Sequence, residues 1–73
     1  MAATMRRFRL VRKVDATGVS GTGVVAEGVE FSTGKAAMGW LTSVRSVALY
    51  DSIADLEAIH GHGGLTVIEW VDA

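Results

Sequence analysis

The sequence predicts a small, mainly β domain with five strands and one short helix. Apolar and polar residues alternate in several short stretches, glycine-rich segments separate these stretches, and only the segment near residues 52–60 has helical spacing. A chain of 73 residues accommodates one domain. We assign that domain to residues 6–73 and interpret residues 1–5 as a loose tail.

The first strand is predicted from the alternation that begins at Arg7, with Phe8 and Leu10 on one face and arginines on the other. Most of the basic residues of the chain fall in this strand, while the remainder of the chain is net acidic. We interpret the strand as a charged edge strand, because positive side chains keep an edge soluble and unpaired. Binding of nucleic-acid phosphates through these arginines is the alternative.

Three further strands are predicted in the middle of the chain. Residues 17–23 contain too much glycine for a regular element, and the second strand follows at 24–31. A hairpin turn at 32–34 leads into the third strand at 35–41. The fourth strand is predicted at 44–50, which is rich in β-branched and aromatic residues.

Glu27 does not fit the alternation of the second strand. It has the same parity as Val25 and Val29, so a regular strand would turn its carboxylate towards the core. We favour a β-bulge marked by Gly28, which would turn Glu27 outward. Without such a bulge, Glu27 is a candidate polar site residue.

The helix near 52–60 has recognisable ends. Ser52 is a good N-cap, Asp55 stands three residues later as in a capping box, and Gly61 stops the helix. One helical face carries the apolar residues Ile53, Leu56 and Ile59. A last strand at 65–71 completes the order β-β-β-β-α-β. This order predicts an open antiparallel five-stranded sheet or a small barrel, and it resembles SH3-like barrels.

Composition limits what holds the domain together. The chain contains no cysteine, which excludes disulfides and thiolate zinc sites, and 49% of its residues are hydrophobic. Because so small a domain buries little surface, we expect it to form a homo-oligomer. No apolar run approaches the roughly 20 residues of a membrane helix. We therefore expect a cytoplasmic protein with no membrane partner.

Two segments carry a family resemblance. Residues 18–32 read GVSGTGVVAEGVEFS and residues 59–64 read IHGHGG, with Trp40 between them and Trp70-Val71-Asp72 at the end. Together these segments resemble a family of short proteins from actinobacteria, bacteriophages and prophages. The resemblance covers residues 8–72. It implies a phage setting, in the host cytoplasm where the gene is phage-encoded, and it implies no mechanism.

The same two segments contain the candidate ligand-binding residues. Successive backbone N–H groups in a glycine-rich turn bind anions, and hydroxyl and imidazole groups add further donors. Pairing of the first and last strands would bring residues 17–23 and 60–64 to one rim, although each segment also reads as an ordinary connection. The predicted ligand-binding residues are Thr17, Ser20, Gly21, Thr22, Glu27, His60, His62 and Gly63.

Neither metal binding nor catalysis has support in the sequence. The two histidines supply only two ligands, and the spacing of the acidic residues selects no others. No nucleophile, base and orienting group form a set, so we expect no cofactor and no enzyme activity.

The leading hypothesis is a non-catalytic, homo-oligomeric phage accessory protein that binds a host protein or a small anionic ligand. The alternatives are a nucleotide-sequestering counter-defence protein, a structural component of the virion, and a nucleic-acid binder that uses the basic first strand.

Overall fold

A computed structural model describes residues 4–13 and 22–72, without the side chain of His62. These residues form five strands, one α-helix and a single 3-10 turn at His62–Gly64. The elements are β1 (Arg6–Arg12), β2 (Gly23–Glu30), β3 (Ala36–Trp40), β4 (Val47–Tyr50), α1 (Ile53–His60) and β5 (Thr66–Trp70). The predicted order β-β-β-β-α-β is confirmed.

The strands form one open antiparallel sheet with the order β4-β3-β2-β1-β5. β4 and β5 are its two edges, so the sheet does not close into a barrel. β1 lies between β2 and β5, and the interpretation of β1 as an edge strand is therefore wrong. Its arginines stand on an internal strand, next to the β5 edge and with a neighbouring strand on each side.

The two faces of the sheet differ in what covers them. The helix packs against one face, here called the helix face, where Phe8, Leu10 and Met38 are almost fully buried together with Leu56 of α1. The opposite face, called the open face, has no layer over it in the described part of the chain. Ile59 was predicted on the apolar side of the helix, but it is 61% exposed because the short helix turns only Leu56 fully into the core.

A β-bulge in β2 explains the position of Glu27. The register of β1 with β2 shifts between Leu10 and Val11, whose partners are Ala26 and Val24, so Val25 is the extra residue. Val25 and Ala26 are both buried, and Glu27 is exposed on the open face. The predicted bulge is confirmed, although it lies at Val25 and not at Gly28.

The helix begins and ends where its capping residues predict. The Ser52 hydroxyl accepts a hydrogen bond of 3.0 Å from the Asp55 N–H. The helix ends at His60, and the N–H of the C-cap residue Gly61 donates to the Glu57 carbonyl at 2.8 Å. Within the described ranges, no helix has the length and apolarity needed to span a membrane.

Candidate functional site

Arg12 is the most unusual residue of the helix face. It follows Phe8 and Leu10 in the alternation of β1, so the pleat turns its side chain to the same side as theirs. Only 6% of Arg12 is exposed, and among the described residues its Nε has no hydrogen-bond partner. A guanidinium keeps its positive charge inside proteins. The structure thus buries a cation without a counter-ion from the described chain.

Thr66 adds a second unpartnered polar group beside Arg12. The two residues stand directly opposite each other in the ladder between β1 and β5. Thr66 is 4% exposed, and its hydroxyl also lacks a partner within the described ranges. Buried polar groups are normally hydrogen-bonded, so two neighbouring exceptions require an explanation. Two unpartnered polar atoms, Arg12 Nε and the Thr66 hydroxyl oxygen, thus belong to ladder partners of β1 and β5, and we call this pair of residues the Arg12 site.

The turn before β5 is fastened to the end of β1 that carries Arg12. The Thr66 N–H donates to the Gly61 carbonyl at 3.0 Å, and the Lys13 N–H donates to the Leu65 carbonyl at 2.7 Å. Gly63 and Gly64 have φ angles of 65° and 96°, which favour glycine. The turn at 61–65 therefore stands at a defined place beside the Arg12 site.

The start of β2 reaches the same end of the sheet. Gly23 is the ladder partner of Arg12 on the side away from Thr66, and Thr22 precedes it. The described flank of the glycine-rich segment and the 61–65 turn thus lie at one end of the sheet, on either side of β1. Thr17, Ser20 and Gly21 lie outside the described residues. Ligand binding by any of these positions stays a prediction.

His60 is engaged by the protein itself. Its Nε2 lies 2.8 Å from the Tyr50 hydroxyl, and its ring stands edge-on to Trp40 with 5.0 Å between centroids. Burial raises the pKa of Tyr50, which keeps this phenol protonated. The three rings join the end of α1 to β3 and β4. The geometry gives His60 a packing role at the rim of the helix face.

Glu27 is separated from the other predicted site residues. It lies on the open face beside a hollow of about 530 Å³, which Arg7, Arg9, Gly39 and Val71 also line. Arg12 lies on the helix face, so the sheet itself separates Glu27 from it. The structure therefore does not bring Glu27 together with Thr22, His60 and Gly63.

Most basic side chains of β1 are already paired within the chain. Arg6 bonds Glu30 at 2.9 Å and stacks over Trp70 at 3.7 Å, while Arg7 holds Asp72 and Arg9 holds Glu69. These contacts neutralise the charges that nucleic-acid binding by β1 would use. The arrangement weakens that alternative.

Metal binding gains no support from the described residues, among which no three histidine, aspartate or glutamate side chains gather as a metal ion requires.

Arg12 is the site residue that sequence reasoning missed. Its signal was present, because it continues the alternation of Phe8 and Leu10 into a polar side chain. The interpretation of β1 as a charged edge strand places Arg12 with the exposed arginines, whereas the structure buries it.

Comparison with known proteins gives one match. The model of the family described as Acb5 phage protein matches residues 5–72, which is nearly the whole chain. No curated protein and no solved structure matches the chain significantly. The family match confirms the phage part of the resemblance seen in the sequence.

Proposed function

Because the chain belongs to the Acb5 phage protein family, we propose that it is a phage accessory protein that binds a small anionic ligand at the Arg12 site. The observation that carries the proposal is the buried guanidinium of Arg12, which has no counter-ion among the described residues. The action is binding and not catalysis.

Electrostatics favours an anion at this place. Moving a cation out of water costs on the order of several kcal/mol, even after the protein has relaxed around it. A bound anion compensates that cost through attraction in a medium of low dielectric constant. A ligand that brings negative charge to Arg12 therefore stabilises the folded chain as it binds.

The chemistry of the donors selects the class of anion. A guanidinium presents its N–H groups as a planar fork that fits the oxygens of a phosphate or a carboxylate. The Thr66 hydroxyl supplies one more donor directly opposite in the ladder. Phosphate-bearing ligands use both groups, and a sequestered nucleotide, one of the alternatives predicted from the sequence, belongs to this class.

The rim of the site leaves room for such a ligand. Gly23 and Gly63 have no side chain, and apart from its chain neighbours no described residue has an atom within 4 Å of the point where either Cβ would stand. Side chains at these positions would occupy space beside the Arg12 site. The glycines of the two sequence segments therefore support an opening at this end of the sheet.

The test is isothermal titration calorimetry of the full chain with inorganic phosphate, AMP, ATP and succinate as probes. We expect binding of at least one phosphate-bearing probe, at one ligand per chain, and weaker binding at higher salt. Arg12→Met should abolish that binding. The matched control is Arg9→Met, which removes an exposed arginine on the other face of the same strand and should bind as the wild type does.

Two results would contradict the proposal. One is binding of a phosphate-bearing probe that Arg12→Met leaves unchanged. The other is the absence of binding by every probe, together with a loss of stability in Arg12→Met, which would make Arg12 a structural residue.

The setting of the protein is part of the same proposal. We propose that the protein acts in the cytoplasm of the host, where a soluble anion is accessible. A structural role in the virion is the competing hypothesis. It requires the chain to co-purify with phage particles and needs no ligand at Arg12.

A further inference from the structure

Among the described residues, no further strand covers the β4 edge of the sheet. β4 reads VALY, with neither a charged residue nor a proline, whereas the other edge strand, β5, carries Glu69 paired with Arg9. Val47 and Leu49 are 71% and 77% exposed, which is unusual for large apolar side chains on a strand. Proteins commonly guard an edge with charge or proline, because a bare apolar edge pairs with another strand.

The backbone of β4 is oriented for such pairing. The Trp40 N–H donates to the Ser46 carbonyl at 2.9 Å, so Ser46 directs its polar groups towards β3. Hydrogen-bonded and non-hydrogen-bonded positions alternate along an antiparallel ladder. Ala48 and Tyr50 therefore also bond β3, and the N–H and C=O groups of Val47 and Leu49 point away from the sheet.

We infer that β4 pairs with β4 of a second copy of this chain, antiparallel and with Ala48 on the two-fold axis. In this register Val47 stands opposite Leu49 of the second copy. The two-fold axis also places Leu49 opposite Val47 of the second copy. Both residues then use their outward N–H and C=O groups, and both apolar side chains pack on the open face. Two five-stranded sheets become one continuous sheet.

Charge complementarity selects a second copy as the occupant. Arg45 lies two residues before Val47, and Asp51 lies two residues after Leu49. The same register places Arg45 opposite Asp51 of the second copy. Arg45 is exposed and makes no ion pair within the described part of the chain. The Asp51 carboxylate accepts a hydrogen bond from Lys35 at 2.9 Å, but its side chain is 83% exposed and can receive a second cation. Shifting the register by two residues would place Val47 opposite Asp51 instead. The strand is thus complementary to itself in one register.

Light scattering coupled to size-exclusion chromatography tests the inference with the full chain. The wild type should have the mass of two chains at tens of micromolar, and Leu49→Lys should have the mass of one chain because it places a charge on the edge. The matched control is Ile59→Lys, which changes another exposed apolar residue on the helix and should keep the dimer. Circular dichroism checks that both variants fold.

A cysteine at position 48 tests the register. The two copies of Ala48 form a non-hydrogen-bonded pair with Cα atoms about 4.5 Å apart, which a disulfide bridges. The chain has no cysteine of its own, so oxidised Ala48→Cys should yield a covalent dimer. Val44→Cys, although 75% exposed, lies far from the axis and should not.

This inference does not depend on the Arg12 site. A light-scattering mass of one chain for the wild type would overturn it. The β4 edge would then be free to pair with a strand of a different protein. A dimer that persists in Leu49→Lys, or an Ala48→Cys variant that forms no disulfide, would also overturn it.

Discussion

The ring of Phe8 lies against Gly28 on the helix face, with its Cζ atom 2.6 Å from the point where a Cβ of residue 28 would stand. The two residues are partners in the ladder between β1 and β2, and Phe8 is 1% exposed. The space that a side chain at position 28 would use is therefore taken by the Phe8 ring and by the Ala37 carbonyl of the neighbouring strand. Gly28 allows close packing in the middle of β2.

Gly28→Ala should lower the free energy of unfolding by at least about 1–3 kcal/mol, because the added methyl group collides with the Ala37 carbonyl of the neighbouring strand and with the buried Phe8 ring. Urea denaturation measures the change. Gly39→Ala is the matched control on the neighbouring strand, where the nearest atom would be 3.8 Å from the new Cβ. It should change stability by less than about 1 kcal/mol. Equal effects of the two variants would contradict the packing argument.

Arg12→Met should raise the free energy of unfolding by at least about 1 kcal/mol in the absence of ligand. The substitution removes a buried charge and fills similar space with an apolar side chain. Urea denaturation without added anion measures the gain, with Arg9→Met as the control near zero. A lower stability of Arg12→Met would show that the arginine has a structural partner.

Tyr50→Phe should destabilise the chain by about 1 kcal/mol, since it removes the 2.8 Å hydrogen bond to His60 and leaves the ring in place. Thermal or urea unfolding measures the loss. The same substitution made in a His60→Leu background should cost much less, because the partner is already absent. An equal cost in both backgrounds would show that the Tyr50 hydroxyl stabilises the fold through another contact.

Asp72 should make the stability depend on pH in the acid range. The Arg7 side chain and then the Arg7 N–H donate hydrogen bonds to Asp72, and they lower its pKa from 3.8 to about 2. A lowered carboxyl pKa stabilises the folded state above the unfolded value. That contribution is present above about pH 4 and is lost as the pH falls to about 2.

Urea unfolding between pH 5 and pH 2 measures this contribution. The free energy of unfolding should fall less steeply in Asp72→Asn than in the wild type. Glu57→Gln, which alters an exposed carboxylate with no ion pair among the described residues, should keep the wild-type slope. Identical slopes for Asp72→Asn and the wild type would contradict the role of the Arg7 pair.

Local features of the fold were readable from the sequence. The alternation around Phe8 and Leu10 predicts β1, and the cap at Ser52 predicts the start of the helix, because each pattern depends on neighbours a few residues away. The turn at 61–65 was also recognisable, since glycine supplies the positive φ angles found at Gly63 and Gly64. Element order and the location of the turns follow from such local rules.

The candidate site was predicted only in part. The sequence drew attention to Thr22, His60 and Gly63, which lie at or near one end of the sheet. It also predicted a bulge that turns Glu27 outward, but at Gly28 and not at Val25, where the structure has it. Arg12 was overlooked because alternation along a strand predicts which face of the sheet a side chain occupies. It does not predict whether a helix covers that face. Burial of a charge is a property of the packed layers.

By itself, then, the sequence determined five strands, one helix, their order and the alternation of their side chains, since these depend on short-range sterics and periodicity. The pairing of β1 with β5 was expected from the sequence and is confirmed. Only the tertiary structure decided that the sheet stays open and does not close into a barrel, that the helix covers the Arg12 side, and that β4 is an edge strand with no charge or proline. The physical reason is that strand pairing and layer packing join residues far apart in the chain. Their free energy depends on the whole set of partners and not on any one segment.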